Sequence, residues 1–114
     1  MKTLRDSYLA ELNTGIIILD NSLRVVSINS SALSILDTSE MAAVGKKIDQ
    51  IFYEEPDSFE RFSSSLSEHR GFTKTDALLH LKQGRKALCD YSVHPISEES
   101  QEGLLIEIIN KETT

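Results

Sequence analysis

The spacing of apolar residues changes along the chain, and each change predicts an element. In residues 3–13, Leu4, Tyr8, Leu9 and Leu12 recur at helical spacing, with Arg5, Asp6 and Glu11 elsewhere. This predicts a helix of about three turns that needs a surface to lie on. Gly15 ends it. Gly15-Ile16-Ile17-Ile18-Leu19-Asp20 is a short β-branched run bounded by turn residues, which predicts a strand apolar on both faces. Asn21-Ser22 supplies a turn. Residues 24–28 give the second strand of a hairpin, with Val26 and Ile28 on one face and Ser27 on the other. The period then becomes helical. Asn29 reads as an N-cap, followed by Ala32, Leu33, Ile35 and Leu36. Thr38 or Ser39 caps a second short helix that Gly45 stops, and Ile48, Ile51 and Phe52 suggest a third short turn. Pro56 and Asp57 open a longer helix, with Glu60 three residues after Asp57 as in a capping box. Its stripe is Phe59, Phe62, Leu66 and His69, and Arg70-Gly71 end it.

The last third reads as strands. Residues 73–82 and 86–96 flank Gln83-Gly84-Arg85. A two-residue loop would mix polar and apolar positions on each face. An odd loop centred on Gly84 pairs Leu81 with Ala87, Leu79 with Cys89, Ala77 with Tyr91 and Thr75 with Val93. That register makes one face nearly apolar, so burial selects it. Ser97 to Glu102 reads as an acidic loop. Residues 103–110 form the final strand, with Leu104, Ile106 and Ile108 on one face and Leu105, Glu107 and Ile109 on the other. The order is helix, two strands, several short helices, three strands. Early and late strands must join one antiparallel sheet with the middle helices on one face, an α+β arrangement.

Composition narrows the function. The 114 residues make one domain, and area scaling lets about two-thirds of its surface be buried. Twelve Lys and Arg against 18 Asp and Glu leave a net charge of −6, which argues against non-specific nucleic-acid binding. A single cysteine excludes an internal disulfide and a multi-cysteine zinc site. The longest apolar run, Ile16 to Leu19, is far short of a membrane span, and the first residues hold no apolar signal core. The expectation is a soluble domain of the cytoplasm.

This order of elements, with Gly15-Ile-Ile-Ile-Leu-Asp20 and then Arg24-Val-Val-Ser-Ile-Asn29-Ser-Ser-Ala32, resembles a PAS domain. The second half narrows the resemblance. Gly71-Phe72-Thr73, Leu79-His80-Leu81-Lys82-Gln83-Gly84-Arg85, residues 89–96 and residues 103–108 resemble the N-terminal PAS domain of NtrB-type nitrogen-regulation sensor histidine kinases. The likeness implies a PAS fold, a five-stranded antiparallel sheet with short helices on one face and the N-terminal helix on the other. It divides the chain into a helix at 1–13, a PAS domain at 14–111 and a linker remnant at 112–114. It also implies a sensor and dimerisation domain that modulates autokinase and phosphatase activity toward an NtrC-type response regulator, with a PII-type protein as the source of the signal. No phosphoacceptor or ATP-lid motif is present, so the kinase core is expected in the parent protein and no catalytic residue here. The alternative is a small-molecule-binding sensor PAS domain of another signalling protein.

Each candidate site has a bland competitor. Val44-Gly45-Lys46-Lys47 fails the phosphate-loop pattern, because Glu40 and Lys47 stand where Gly and Ser or Thr are needed. Some PAS domains hold haem through a His on the longest middle helix; here His69 also reads as a helix-end residue favoured by the dipole. His80 and His94 face outward and too far apart to share a metal. Cys89 reads as a buried small hydrophobe, and residues 46–55 hold nothing like a flavin-reactive cysteine motif. No haem, flavin or metal is expected. A ligand pocket, if present, would be lined by Phe59, Phe62, Leu66, Leu79, Cys89, Tyr91 and Ile106, with no charged group converging there; the bland reading is that these fill the core. The two-sided strands need a cover on their second face. Leu4, Tyr8, Leu9 and Leu12, with Leu105 and Ile109, are the predicted dimer interface.

Overall fold

The structure, a computed structural model, describes residues 14–54 and 58–111. The predicted N-terminal helix with Leu4, Tyr8, Leu9 and Leu12, the helix-opening Pro56 and Asp57, and the linker remnant at 112–114 lie outside the described residues.

Strands β1 (Thr14–Leu19) and β2 (Val25–Ile28) form the expected antiparallel hairpin. Asp20 organises its turn: Oδ1 accepts the backbone N–H of Ser22 at 2.8 Å and of Arg24 at 3.0 Å. Ile17 faces Ile28 and Ile18 faces Ser27, but the register then slips so that Leu19 faces Val25. This bulge leaves Val26 without a cross-strand partner and turns it out, 55% exposed, while Val25 and Ile28 are buried. Strict alternation puts Val26 on the face of Ile28; the extra residue of the bulge is the reason it is not there.

Helix α1 (Ser30–Leu36) is capped by Asn29, whose Oδ1 accepts the Ala32 N–H at 2.9 Å. Helix α2 (Glu40–Ala43) is capped by Ser39 rather than Thr38 and is followed by Gly45 at φ +87°, the left-handed conformation that ends helices. A single 3₁₀ turn covers Ile48–Gln50, and α3 runs Ser58–Glu68. The buried face of α3 is set by Phe62 and Ser65, with Phe59 and Leu66 partly buried. Ser65 tolerates burial because its hydroxyl donates to the Arg70 carbonyl at 2.6 Å. His69 does not continue the stripe: the helix stops at Glu68, and His69 sits at φ +53° with an exposed side chain.

Strands β3 (Phe72–His80), β4 (Lys86–Glu98) and β5 (Gln101–Asn110) complete a five-stranded sheet in the order β2-β1-β5-β4-β3, every neighbouring pair antiparallel. The β3–β4 connection has the expected odd length, a 3₁₀ turn at Lys82–Gly84 closed by the Leu81 N–H to the Arg85 carbonyl at 2.7 Å. Its centre is residue 83 rather than Gly84. Gly84 has φ +76° and belongs at the exit of a three-residue turn, not its middle. The register therefore differs by two: Leu79 faces Ala87 and Ala77 faces Cys89. A two-residue shift keeps the faces, so Ala77, Leu79, Ala87, Cys89, Tyr91 and Val93 are all buried. Beyond Ala77 an irregularity at Thr75 and Asp76 resets the parity, with Asp76 at φ +53°. Thr75 is thereby exposed instead of facing Val93, and Phe72 takes that place. The acidic segment at 97–102 is mostly strand: Glu98 faces Gln101 across a turn in which Glu99 and Ser100 both have positive φ.

The core lies between the helices and one face of the sheet. Leu104, Ile106 and Ile108 of the central strand β5 are fully buried there with Ile17, Leu19, Val93 and Phe62. Gly103 lets β5 pass β1 closely: a Cβ on it would stand 2.1 Å from the Leu19 carbonyl oxygen.

Candidate functional site

Charged and polar side chains gather where α3 meets the start of β3. There an open groove of about 590 Å³ runs along the helix, with Arg61 and Ser64 on one wall and Arg70, Thr73 and Lys74 on the other. Its volume is in the usual range for small-molecule sites. The irregularity in β3 matters here, because the reset parity turns Lys74 toward the helix side of the sheet, opposite Tyr91.

Beneath the groove lies a polar cluster. The Tyr91 hydroxyl donates to Glu54 Oε1 at 2.8 Å, and Lys74 Nζ stands 3.0 Å from Glu54 Oε2. Glu54 is 7% exposed and Tyr91 2%, so both polar groups are inside the protein. Burial, followed by the hydrogen bond and charge of Glu54, holds the Tyr91 phenol well above its ordinary value of 10.0; the Arg61 guanidinium nearby pulls in the other direction. The expectation that no charged group converges on the interior is thus corrected: Glu54, Lys74 and Arg61 converge on Tyr91. Sequence gave little hint. Glu54 stands in a polar Tyr-Glu-Glu-Pro stretch that reads as loop, and Lys74 reaches the inner face only through the β3 irregularity.

The predicted pocket residues all lie in the core. Phe62, Leu79, Cys89, Tyr91 and Ile106 are buried, with Phe59 and Leu66 packed against them. Phe62 is the hub of an aromatic cluster, its ring 6.1 Å from Phe52, 6.2 Å from Phe72 and 6.1 Å from Tyr91. Of these seven, Tyr91 alone joins the polar cluster. His69 pairs with Glu102 at 3.3 Å and His94 with Glu107 at 2.9 Å, while His80 stacks on Tyr53 at 4.8 Å. The three histidines are thus engaged at separate places, and no cluster of three metal-ligating side chains occurs among the described residues. Nor is any described helix long and apolar enough to cross a membrane.

The far face of the sheet is less polar than a solvated face should be. Ile16, Ile18 and Leu105 are half-buried and Ile109 is 50% exposed. Pairing joins them into one surface, with Ile18 opposite Leu105 and Thr14 opposite Ile109. Leu105 and Ile109 therefore belong to one patch across β1 and β5.

Comparison with known proteins agrees with this architecture. A family profile for the PAS domain matches residues 13–113. The fold is similar to the PAS domain of nitrogen regulation protein NR(II) from Vibrio parahaemolyticus, at 20% identity and TM-score 0.74 over 96% of this chain and 99% of that one. It is also similar to the PAS domain of the fruit-fly ELK potassium channel, at 13% identity and TM-score 0.71 over 98% and 100% of the two chains. The blue-light activated histidine kinase EL346 of Erythrobacter litoralis matches at 13% identity and TM-score 0.74, over 96% of this chain but 36% of that longer one. No curated protein matches the sequence. At these identities the structural likenesses speak for the fold.

Proposed function

This chain belongs to the PAS domain family, and on that premise we propose that it is the regulatory, dimerising domain of an NtrB-type nitrogen-regulation histidine kinase. The observation that carries the reading is the apolar patch on the outer face of the sheet, made by Ile16, Ile18, Leu105 and Ile109. The fold likeness to the Vibrio domain supports the choice of kinase class. In this reading residues 1–13 form a helix whose Leu4, Tyr8, Leu9 and Leu12 pack with that patch and with a second copy, and the PAS domain occupies 14–111. A change at the dimer face alters the geometry entering the attached kinase core and so biases kinase against phosphatase states. The PII-type and NtrC-type partners act through the parent protein, in the cytoplasm, without nucleic acid or membrane. The domain works without haem, flavin or metal, and catalysis belongs to the parent protein.

Native mass spectrometry on the purified chain tests this. A dimer of bare chains is the expected result. A monomer at all concentrations overturns the reading.

A further inference from the structure

The apolar patch on the outer face of the sheet has a carboxylate at its centre. Glu107 of β5 pairs with Ile16 of β1 on one side and Ser92 of β4 on the other, with Leu105 and Ile109 two residues away along its own strand. Its Oε1 lies 2.9 Å from Nε2 of His94 on β4. The two side chains are 45% and 50% exposed, so the pair is open to water in the single chain. Neither makes another ion pair among the described residues. The outward residues of β1 are Thr14, Ile16 and Ile18, none of them charged. On the β3 side, Thr73 faces Ser92 with their hydroxyls 3.2 Å apart, Lys74 turns inward to Glu54, and Arg70 lines the groove on the helix side. Farther along the face Lys111 takes up Asp76 at 2.6 Å and Asp90 at 3.5 Å.

We propose that His94 is a proton-controlled gate on self-association through this face, so that a second copy docks tightly when the imidazole is charged and weakly when it is neutral. This rests on the dimer face put forward above. A carboxylate enclosed in an apolar interface loses its hydration, and a partner charge offsets that cost. Neutral His94 gives Glu107 a hydrogen bond but leaves its negative charge uncompensated. A twofold interface sets one face against its own copy, so the dimer then encloses two such charges. Protonation makes each pair neutral overall and its hydrogen bond charge-assisted. In the same reading Arg5, Asp6 and Glu11 lie off the apolar stripe of the segment 1–13 and do not replace His94. Histidine is the side chain that ordinarily changes charge between about pH 5 and 8. The dimer binds more protons than two separate chains, and association therefore strengthens as pH falls through that window. The geometry entering the attached core then follows proton concentration.

Sedimentation equilibrium of the full 114-residue chain at about pH 6 and about pH 8, at fixed ionic strength, tests this. The dimer dissociation constant is expected to be about tenfold lower at the acidic value. His94→Gln should lose most of that difference. It keeps His69, His80 and every carboxylate, so the pH dependence it retains measures the general loss of negative charge. His94→Lys holds a cation throughout and should associate at about pH 8 as tightly as the wild type does at about pH 6. Glu107→Gln removes the enclosed charge and should associate tightly at both values. Both positions are half-exposed, so each variant should keep the far-ultraviolet spectrum of the folded chain. A monomer at both values and all concentrations overturns the gate and the dimer reading together. A dimer of equal affinity at both values, or one whose pH dependence survives intact in His94→Gln, overturns the gate alone.

Discussion

The Asn29 side chain joins two elements as well as capping a helix. Its Oδ1 accepts the N–H of Ala32 and of Ile16, both at 2.9 Å, and its Nδ2 donates to the Thr14 carbonyl at 3.0 Å. Asn29→Ala removes all three bonds and leaves half-buried backbone groups unpaired. A loss of about 2–4 kcal/mol in urea unfolding is expected, more than a cap alone contributes. Asn29→Asp keeps the acceptor but sets a carboxylate against the Thr14 carbonyl, so its loss is expected to fall between wild type and alanine. Tyr91 gives a pH prediction at the same scale. Its phenol is raised in the folded protein by burial first and by Glu54 next. The stabilisation this linkage provides is complete below the unfolded value near 10 and is lost as pH rises toward the folded value. Unfolding free energy should therefore decline above about pH 10 more steeply in wild type than in Tyr91→Phe. The phenylalanine variant itself should be less stable at neutral pH by about 1.5–3 kcal/mol, the usual worth of a hydrogen bond to a charged group. Equal alkaline slopes for the two proteins would remove Tyr91 from the explanation.

At the scale of elements, what was legible in the sequence was the periodic part, and what was not was the part made by backbone exceptions. The β4 set Ala87, Cys89, Tyr91 and Val93 and the β5 set Leu104, Ile106 and Ile108 alternate without interruption, so their buried face follows from pattern. Val26 and Thr75 depart from the alternating pattern because each neighbours an irregularity that no Gly or Pro announces. The candidate site suffered most, since Lys74 joins Glu54 and Tyr91 only through such a reset. The β4–β5 turn was hidden for the same reason. Glu99 and Ser100 occupy the two positive-φ positions of a tight hairpin turn without the residues that favour them. Glu99→Asn with Ser100→Gly relieves that cost and should raise stability by about 1 kcal/mol, read as a higher melting temperature. No gain would mean that other contacts already fix the turn.

For the molecule as a whole, the outer sheet face lets the proposed association be tested apart from folding. Leu105 and Ile109 point away from the core that Leu104, Ile106 and Ile108 fill. Leu105→Asp combined with Ile109→Asp should therefore abolish the proposed dimer in sedimentation while keeping the far-ultraviolet spectrum of the folded chain. A dimer that survives the double change has its interface elsewhere. The strand order β2-β1-β5-β4-β3 has a consequence of another kind. The ribosome makes β5 last of the five strands, yet β5 is the seam between the β1–β2 hairpin and the β3–β4 hairpin. Until Asn110 has left the exit tunnel, the nascent chain holds two half-sheets with open edges and uncovered apolar sides. Its sheet is completed in one late closing event, and before that moment chaperones and aggregation compete for the same unpaired strands.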